Sequence, residues 1–149
     1  MTYAHATFDE TPEPEAGEPS AGLQAGDPIP SVPPWLLRLD IGADGDLVDL
    51  GKHALRGNIG LGYTFLGERP LRFSQTSPRV NLLELSAGLS WWFFDLGLQI
   101  YNLLDVQYAA QEFVFESNWN PGIPPSDTPA RHIAAGAPRT LIFQIGFRL

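Results

Sequence analysis

The chain of 149 residues has no cysteine, which excludes a disulfide framework and a thiolate metal site. It has no apolar run approaching the about 20 residues that a membrane-crossing helix requires. Positive charge is scarce: Lys and Arg number 9 against 17 Asp and Glu, for a net charge of −8. No basic face of the kind that binds nucleic acid is visible. Enzyme signatures are missing too, with no P-loop, no G-x-S-x-G and no H-E-x-x-H, so the chain is not read as an enzyme and no cofactor is expected. His5, His53 and His132 are scattered without ligand spacing and read as surface histidines. The opening T-Y-A-H-A-T-F has neither the basic start nor the apolar core of a secretory signal peptide. Glycine (15) and proline (14) are plentiful. They favour many turns and argue against long helices.

The stretch from Pro78 to Tyr108 organises the chain. Leu83, Leu85, Ala87, Leu89, Trp91 and Phe93 fall on one face, with Glu84, Ser86, Gly88, Ser90 and Trp92 on the other. A period of two means a strand. Leu96, Leu98 and Ile100 then alternate with Asp95, Gly97, Gln99 and Tyr101. A turn around Phe94-Asp95 makes the pair a hairpin. The second strand is expected to run on through residues 108–115.

Four more strands follow from the same pattern. Residues 2–8 form a short one. Residues 34–43 place Trp35, Leu37, Leu39 and Ile41 opposite Arg38, Asp40 and Gly42, and D-G-D-L-V-D-L-G at 44–51 reads as a turn. Residues 52–66 set Leu55, Ile59, Leu61, Tyr63 and Phe65 against Arg56, Asn58, Gly60, Gly62 and Thr64. The last strand, 139–149, sets Leu141, Phe143, Ile145, Phe147 and Leu149 against Gln144, Gly146 and Arg148. Between them lie long segments rich in Pro and Gly at 9–33, 67–79 and 117–138. The acids Asp9, Glu10, Glu13, Glu15 and Glu18 lack the D-x-D-x-D-G spacing of a calcium loop and read as a solvated stretch. Trp119 sits in the last of these loops, where exposure alone would let it touch a ligand.

Six strands joined by alternating long and short connections suit an antiparallel meander. Soluble proteins turn the apolar face of such a meander inward, whereas outer-membrane barrels turn it towards lipid. Arg38, Asp40, Arg56, Glu84 and Arg148 all fall on the polar face. Buried in a small soluble core they would carry a high desolvation penalty. On the wall of a wet lumen they carry little. Leu55, Ile59, Leu61, Leu83, Leu85, Leu89, Leu96, Leu98, Phe143 and Ile145 are therefore expected to point outward. Arg56, Asn58, Glu84, Ser86, Gln99 and Gln144 are expected to point inward.

Three segments carry a resemblance. Y-N-L-L-D-V-Q-Y at 101–108 resembles the N-L-F-D-x-x-Y motif near the end of TonB-dependent outer-membrane receptors. A-P-R-T-L-I-F-Q-I-G-F-R-L at 137–149 resembles their last strand, which often begins P-R-T. I-P-S-V-P-P-W at 29–35 resembles the proline-rich approach to an earlier strand. The resemblance implies an all-β fold: an up-and-down meander that is the C-terminal part of a transmembrane barrel of about 22 strands. Residues 1–149 would then be a partial domain lacking the plug, the TonB-contacting box and the signal peptide. It implies uptake of a scarce nutrient such as a ferric siderophore or cobalamin at the Gram-negative outer membrane. The fragment itself would be inactive. Its partners would be outer-membrane lipid, the missing plug and strands, and TonB through the full-length receptor only. Asn102, Leu103, Asp105, Tyr108, Pro138 and Arg139 would be structural motif residues. Trp35, Trp91, Phe93, Phe143 and Phe147 would form the lipid-facing aromatic girdle. The chain departs from the family in ending on Leu149, where an aromatic residue is usual. The alternative is a small soluble or secreted β-barrel protein that binds an apolar ligand.

Overall fold

A computed structural model describes residues 1–13, 23–117 and 128–148. Among them the fold is all-β, without a helix. The strands are β1 (Thr2–Tyr3), β2 (Trp35–Leu50), β3 (His53–Leu66), β4 (Arg69–Pro70), β5 (Thr76–Ser77), β6 (Val80–Trp91), β7 (Phe94–Tyr101), β8 (Ala109–Ser117), β9 (Thr128–Ala135) and β10 (Thr140–Phe147). The main sheet has the order β1-β2-β3-β6-β7-β10, with β4-β5 and β8-β9 as separate two-stranded sheets. Its six strands are those expected from alternation. Their boundaries differ in four places.

The first strand keeps only Thr2–Tyr3, paired with Leu36 and Trp35. β2 runs on through 44–50, where a turn was expected, and the chain reverses at Gly51, whose φ of +81° suits glycine. The hairpin between β6 and β7 turns at Trp92-Phe93, not at Phe94-Asp95, with Trp92 at φ +49°. Phe94 and Asp95 are instead paired with Trp91 and Ser90. Finally, β7 stops at Tyr101. Residues 109–117 form β8, which pairs with β9 inside the region expected to be a loop. Of the expected loops, 14–22 and 118–127 lie outside the described residues, as do Glu15, Glu18, Trp119 and Leu149.

The chain divides into two compact units. One comprises Met1–Leu36, Leu66–Val80 and Tyr108–Gly136, so it holds β1, β4, β5, β8, β9 and most of the long connections. Among the described residues its buried apolar side chains are Leu71, Val80 and Val114. Backbone bonds tie its segments together: Ser31 N–H donates to the Pro70 carbonyl at 2.7 Å, and Ile29 N–H to Ala6 at 3.0 Å.

The other unit comprises Leu37–Phe65, Asn81–Gln107 and Ala137–Leu149, with both short turns. Its strands divide cleanly into two faces. Leu85↔Ile100, Ala87↔Leu98 and Leu89↔Leu96 are opposed on one face, and Ser86↔Gln99, Gly88↔Gly97 and Ser90↔Asp95 on the other. β10 continues both rows, setting Phe143 opposite Leu98 and Gln144 opposite Gly97. Among the described residues no apolar side chain of this unit is buried. Ile41 and Phe143 are each 73% exposed, and Ile145 is 65% exposed. Ile59, Leu89 and Leu96 are exposed too, while Leu85, Leu98 and Ile100 in the same row are half-buried.

Candidate functional site

The polar face of the second unit holds three arginines, each answered by acid. Arg38 Nη2 lies 2.7 Å from Asp40 Oδ1 and 2.7 Å from Glu84 Oε2, while its Nη1 donates to Thr64 Oγ1 at 2.9 Å. Arg56 Nε pairs with Asp46 Oδ1 at 3.1 Å. Arg148 forks onto Asp95 at 2.8 and 2.9 Å and also donates to Ser90 Oγ, which itself donates to Asp95 at 2.6 Å. Bidentate pairing of this kind fixes geometry as well as charge.

Glycines make room for these side chains. A Cβ on Gly62 would stand 2.7 Å from Arg38 Nη2, and one on Gly88 would stand 2.7 Å from Asn58 Oδ1. One on Gly60 would meet Ser86 Oγ at 2.6 Å. The polar side chains therefore lie flat over glycines of neighbouring strands, and each of the three arginines is paired within a wall that keeps an excess of acid.

Asn102, Leu103, Asp105, Pro138 and Arg139 gather where β7 ends and β10 begins. Asn102 is 4% exposed. Its Nδ2 donates to the carbonyls of Val106 at 2.9 Å and Ala137 at 3.0 Å, and its Oδ1 accepts from Val106 N–H at 2.9 Å. Asp105 Oδ1 accepts from Arg139 N–H at 3.0 Å, and its other oxygen lies 3.6 Å from the Arg139 guanidinium. Leu103 N–H donates to the Leu83 carbonyl at 2.8 Å. The Pro138 carbonyl accepts from Thr140 Oγ1 at 3.0 Å. Asn102 and Asp105 sit at φ +49° and +54°, a region that Asn and Asp tolerate better than most residues. Tyr108 belongs to the first unit. There its carbonyl accepts from Gly136 N–H at 2.8 Å, and its ring occupies the space a side chain at Gly136 would need.

The aromatic residues gather in part. Phe147 lies 5.4 Å from Phe94 and 6.4 Å from Phe93, Phe93 meets Trp92 edge-on at 4.7 Å, and Trp92 stacks on His53 at 5.3 Å. Trp91 stands opposite Phe94 on the apolar face. Phe93 lies in the turn itself, and Phe143 sits mid-strand opposite Leu98. Trp35 lies in the first unit against Tyr3 at 4.5 Å. Trp35 and Trp91 are 42% exposed and Trp92 is 59% exposed.

Sequence reasoning missed a polar lock in the first unit. Arg69 is 8% exposed, and its Nη2 donates to Ser77 Oγ at 2.9 Å. The guanidinium also reaches the carbonyls of Ala109 and Ala110 at 3.4 and 3.5 Å, where a bulge interrupts the β8–β9 ladder. Arg131 answers from β9, donating to the Thr76 carbonyl at 2.7 Å and lying 3.9 Å from the buried Glu112. R-P and R-H in polar loops give no sequence signal of burial. The bulge at Ala110 cannot be read from A-A-Q.

Among the described residues no group of His, Asp and Glu is arranged to hold a metal ion. Set against protein-family profiles, characterised proteins and solved structures, the chain matches none.

Proposed function

We propose that this chain is the C-terminal barrel wall of a TonB-dependent outer-membrane receptor that takes up a scarce nutrient such as a ferric siderophore or cobalamin. The observation that carries this reading is the second unit's division of faces. Its apolar row holds exposed side chains such as Ile59, Leu89, Leu96, Phe143 and Ile145, and each arginine of its polar row is paired with acid. Water penalises the first arrangement and hydrocarbon on that side rewards it. The motif residues support the reading by bonding backbone where β7 ends and β10 begins. Alone, the wall has open edges, and unpaired backbone groups facing hydrocarbon are heavily penalised. The isolated chain therefore transports nothing.

Expressing residues 1–149 and fractionating the cells tests this. Insoluble or proteolysed chain is expected, and recovery in the outer membrane as a heat-modifiable band would refute only the claim that the wall alone is incomplete. A soluble, monodisperse, cooperatively melting monomer would refute the membrane reading.

One observation favours the alternative of a soluble protein binding an apolar ligand. The apolar face carries a depression of ≈ 800 Å³ lined by Leu47, Ile59, Leu89, Leu96, Phe143 and Ile145, among others. That reading predicts a soluble monomer in the same fractionation.

A further inference from the structure

We infer that the β4–β5 and β8–β9 hairpins are clasped into one body that opens and closes as a unit. Each is a sheet of two strands, and among the described residues no backbone ladder joins them. A two-stranded ribbon on its own is marginal in water. The β4–β5 pair is short, with Arg69 opposite Ser77 and Pro70 opposite Thr76. Its turn is closed by Leu71 N–H donating to the Gln75 carbonyl at 2.8 Å. That turn holds Phe73 and Ser74 at φ +58° and +55°, where a residue with a Cβ is penalised. Left to itself this hairpin would not persist.

Two arginines supply what the ladders lack, and they cross in opposite directions. Arg69 starts on β4 and reaches the carbonyls of Ala109 and Ala110 on β8 at 3.4 and 3.5 Å. Arg131 starts on β9 and reaches the Thr76 carbonyl on β5 at 2.7 Å. Each is also tied within its own hairpin, Arg69 to Ser77 Oγ and Arg131 to Glu112. Arg69, Ser77 and Glu112 are all buried. Moving either hairpin away from the other breaks both crossings together. A buried charge stripped of its partners is strongly destabilising, so neither hairpin leaves while the other stays closed.

The clasp couples a surface to a separate turn. Along β8, Glu112 and Val114 are buried, while Phe113 and Phe115 alternate with them and are exposed. Phe115 stacks on His132 of β9 at 3.8 Å. The rings and the clasp therefore use opposite faces of one hairpin. A load on the rings is carried through Arg69 and Arg131 to the turn at Phe73 and Ser74. The inference goes beyond the transport reading and does not rest on it.

The test is amide hydrogen exchange of chain 1–149, refolded in detergent micelles or in buffer if the chain is soluble. Ser74→Gly relieves a left-handed residue in the β4–β5 turn. Exchange in 69–77 should slow about fivefold. The β8–β9 ladder, where nothing has been substituted, should slow by the same factor, and β6–β7 should not change. Arg69→Ala cuts one crossing and should speed exchange in both hairpins at least about tenfold. If that variant fails to fold, Ser74→Gly decides, because it strengthens the hairpin instead of weakening it. A β8–β9 ladder unmoved by Ser74→Gly overturns the inference. So does Arg69→Ala if it leaves either hairpin at the parent rate. An equal change at β6–β7 overturns it as well, because the body that opens would then be the whole fold.

Discussion

Asn102 offers the sharpest test of how the end of β7 is held. Its amide makes three hydrogen bonds to backbone groups and is buried, and its φ is +49°. Asn102→Ala removes all three, at about 1 kcal/mol net each. It also forces a Cβ-bearing residue without a local hydrogen-bonding side chain into the left-handed region, at roughly 1–2 kcal/mol. The expected loss is about 4 kcal/mol. Asn102→Gly loses the same bonds but escapes the backbone penalty, so it should be the milder change by about 1 kcal/mol. Asn102→Asp keeps the acceptor for Val106 N–H but turns a carboxylate towards the carbonyls of Val106 and Ala137, so it should not rescue. Urea unfolding of the refolded chain in micelles gives these differences directly. An Ala variant within about 1 kcal/mol of the parent would refute the account. Equal Ala and Gly losses would refute its backbone part.

Three further outcomes follow from the faces and the lock. Phe143→Arg should weaken insertion into bilayers by about 2–4 kcal/mol, while Gln99→Arg on the other face should be tolerated; equal effects in a vesicle-insertion assay would refute the assignment of faces. Gly88→Ala must displace the Asn58 amide and should destabilise in urea titration, whereas Gly45→Ala, with nothing within 4 Å of the added Cβ, should be near neutral. Arg69→Lys keeps the charge but loses the fork that spans Ser77, Ala109 and Ala110. It should speed proteolysis within 67–79 and 108–117 nearly as much as Arg69→Ala does.

The six strands of the main sheet and their two faces were legible because a period of two runs almost unbroken through β3, β6, β7 and β10. The turns were not. Asp95 looks like a turn residue and Trp92 does not. Pairing Ser90 with Asp95, and drawing in Arg148, keeps Asp95 in the strand and pushes the reversal back to Trp92-Phe93. D-G-D at 44–46 also looks like a turn, but the alternation continues beneath it and Asp46 is held by Arg56 across the sheet. The strand expected to continue through 108–115 is broken by two positive-φ residues, Asn102 and Asp105. The motif is visible in the sequence, but the backbone conformation it encodes is not. β9 was hidden because T-P-A-R-H-I-A-A has no apolar alternation and includes a proline, which only an edge strand accepts.

The exposed tryptophans make the chain a reporter of its own surroundings. An indole emits at long wavelength when wet and shifts to the blue when it is dried. Trp35, Trp91 and Trp92 are all at least 42% exposed, so folding alone does not dry them. In a Trp119→Phe background, a blue shift without a change in backbone dichroism would mean that something other than this chain has covered its rings. The same cuvette would then separate the formation of the sheet from its entry into lipid.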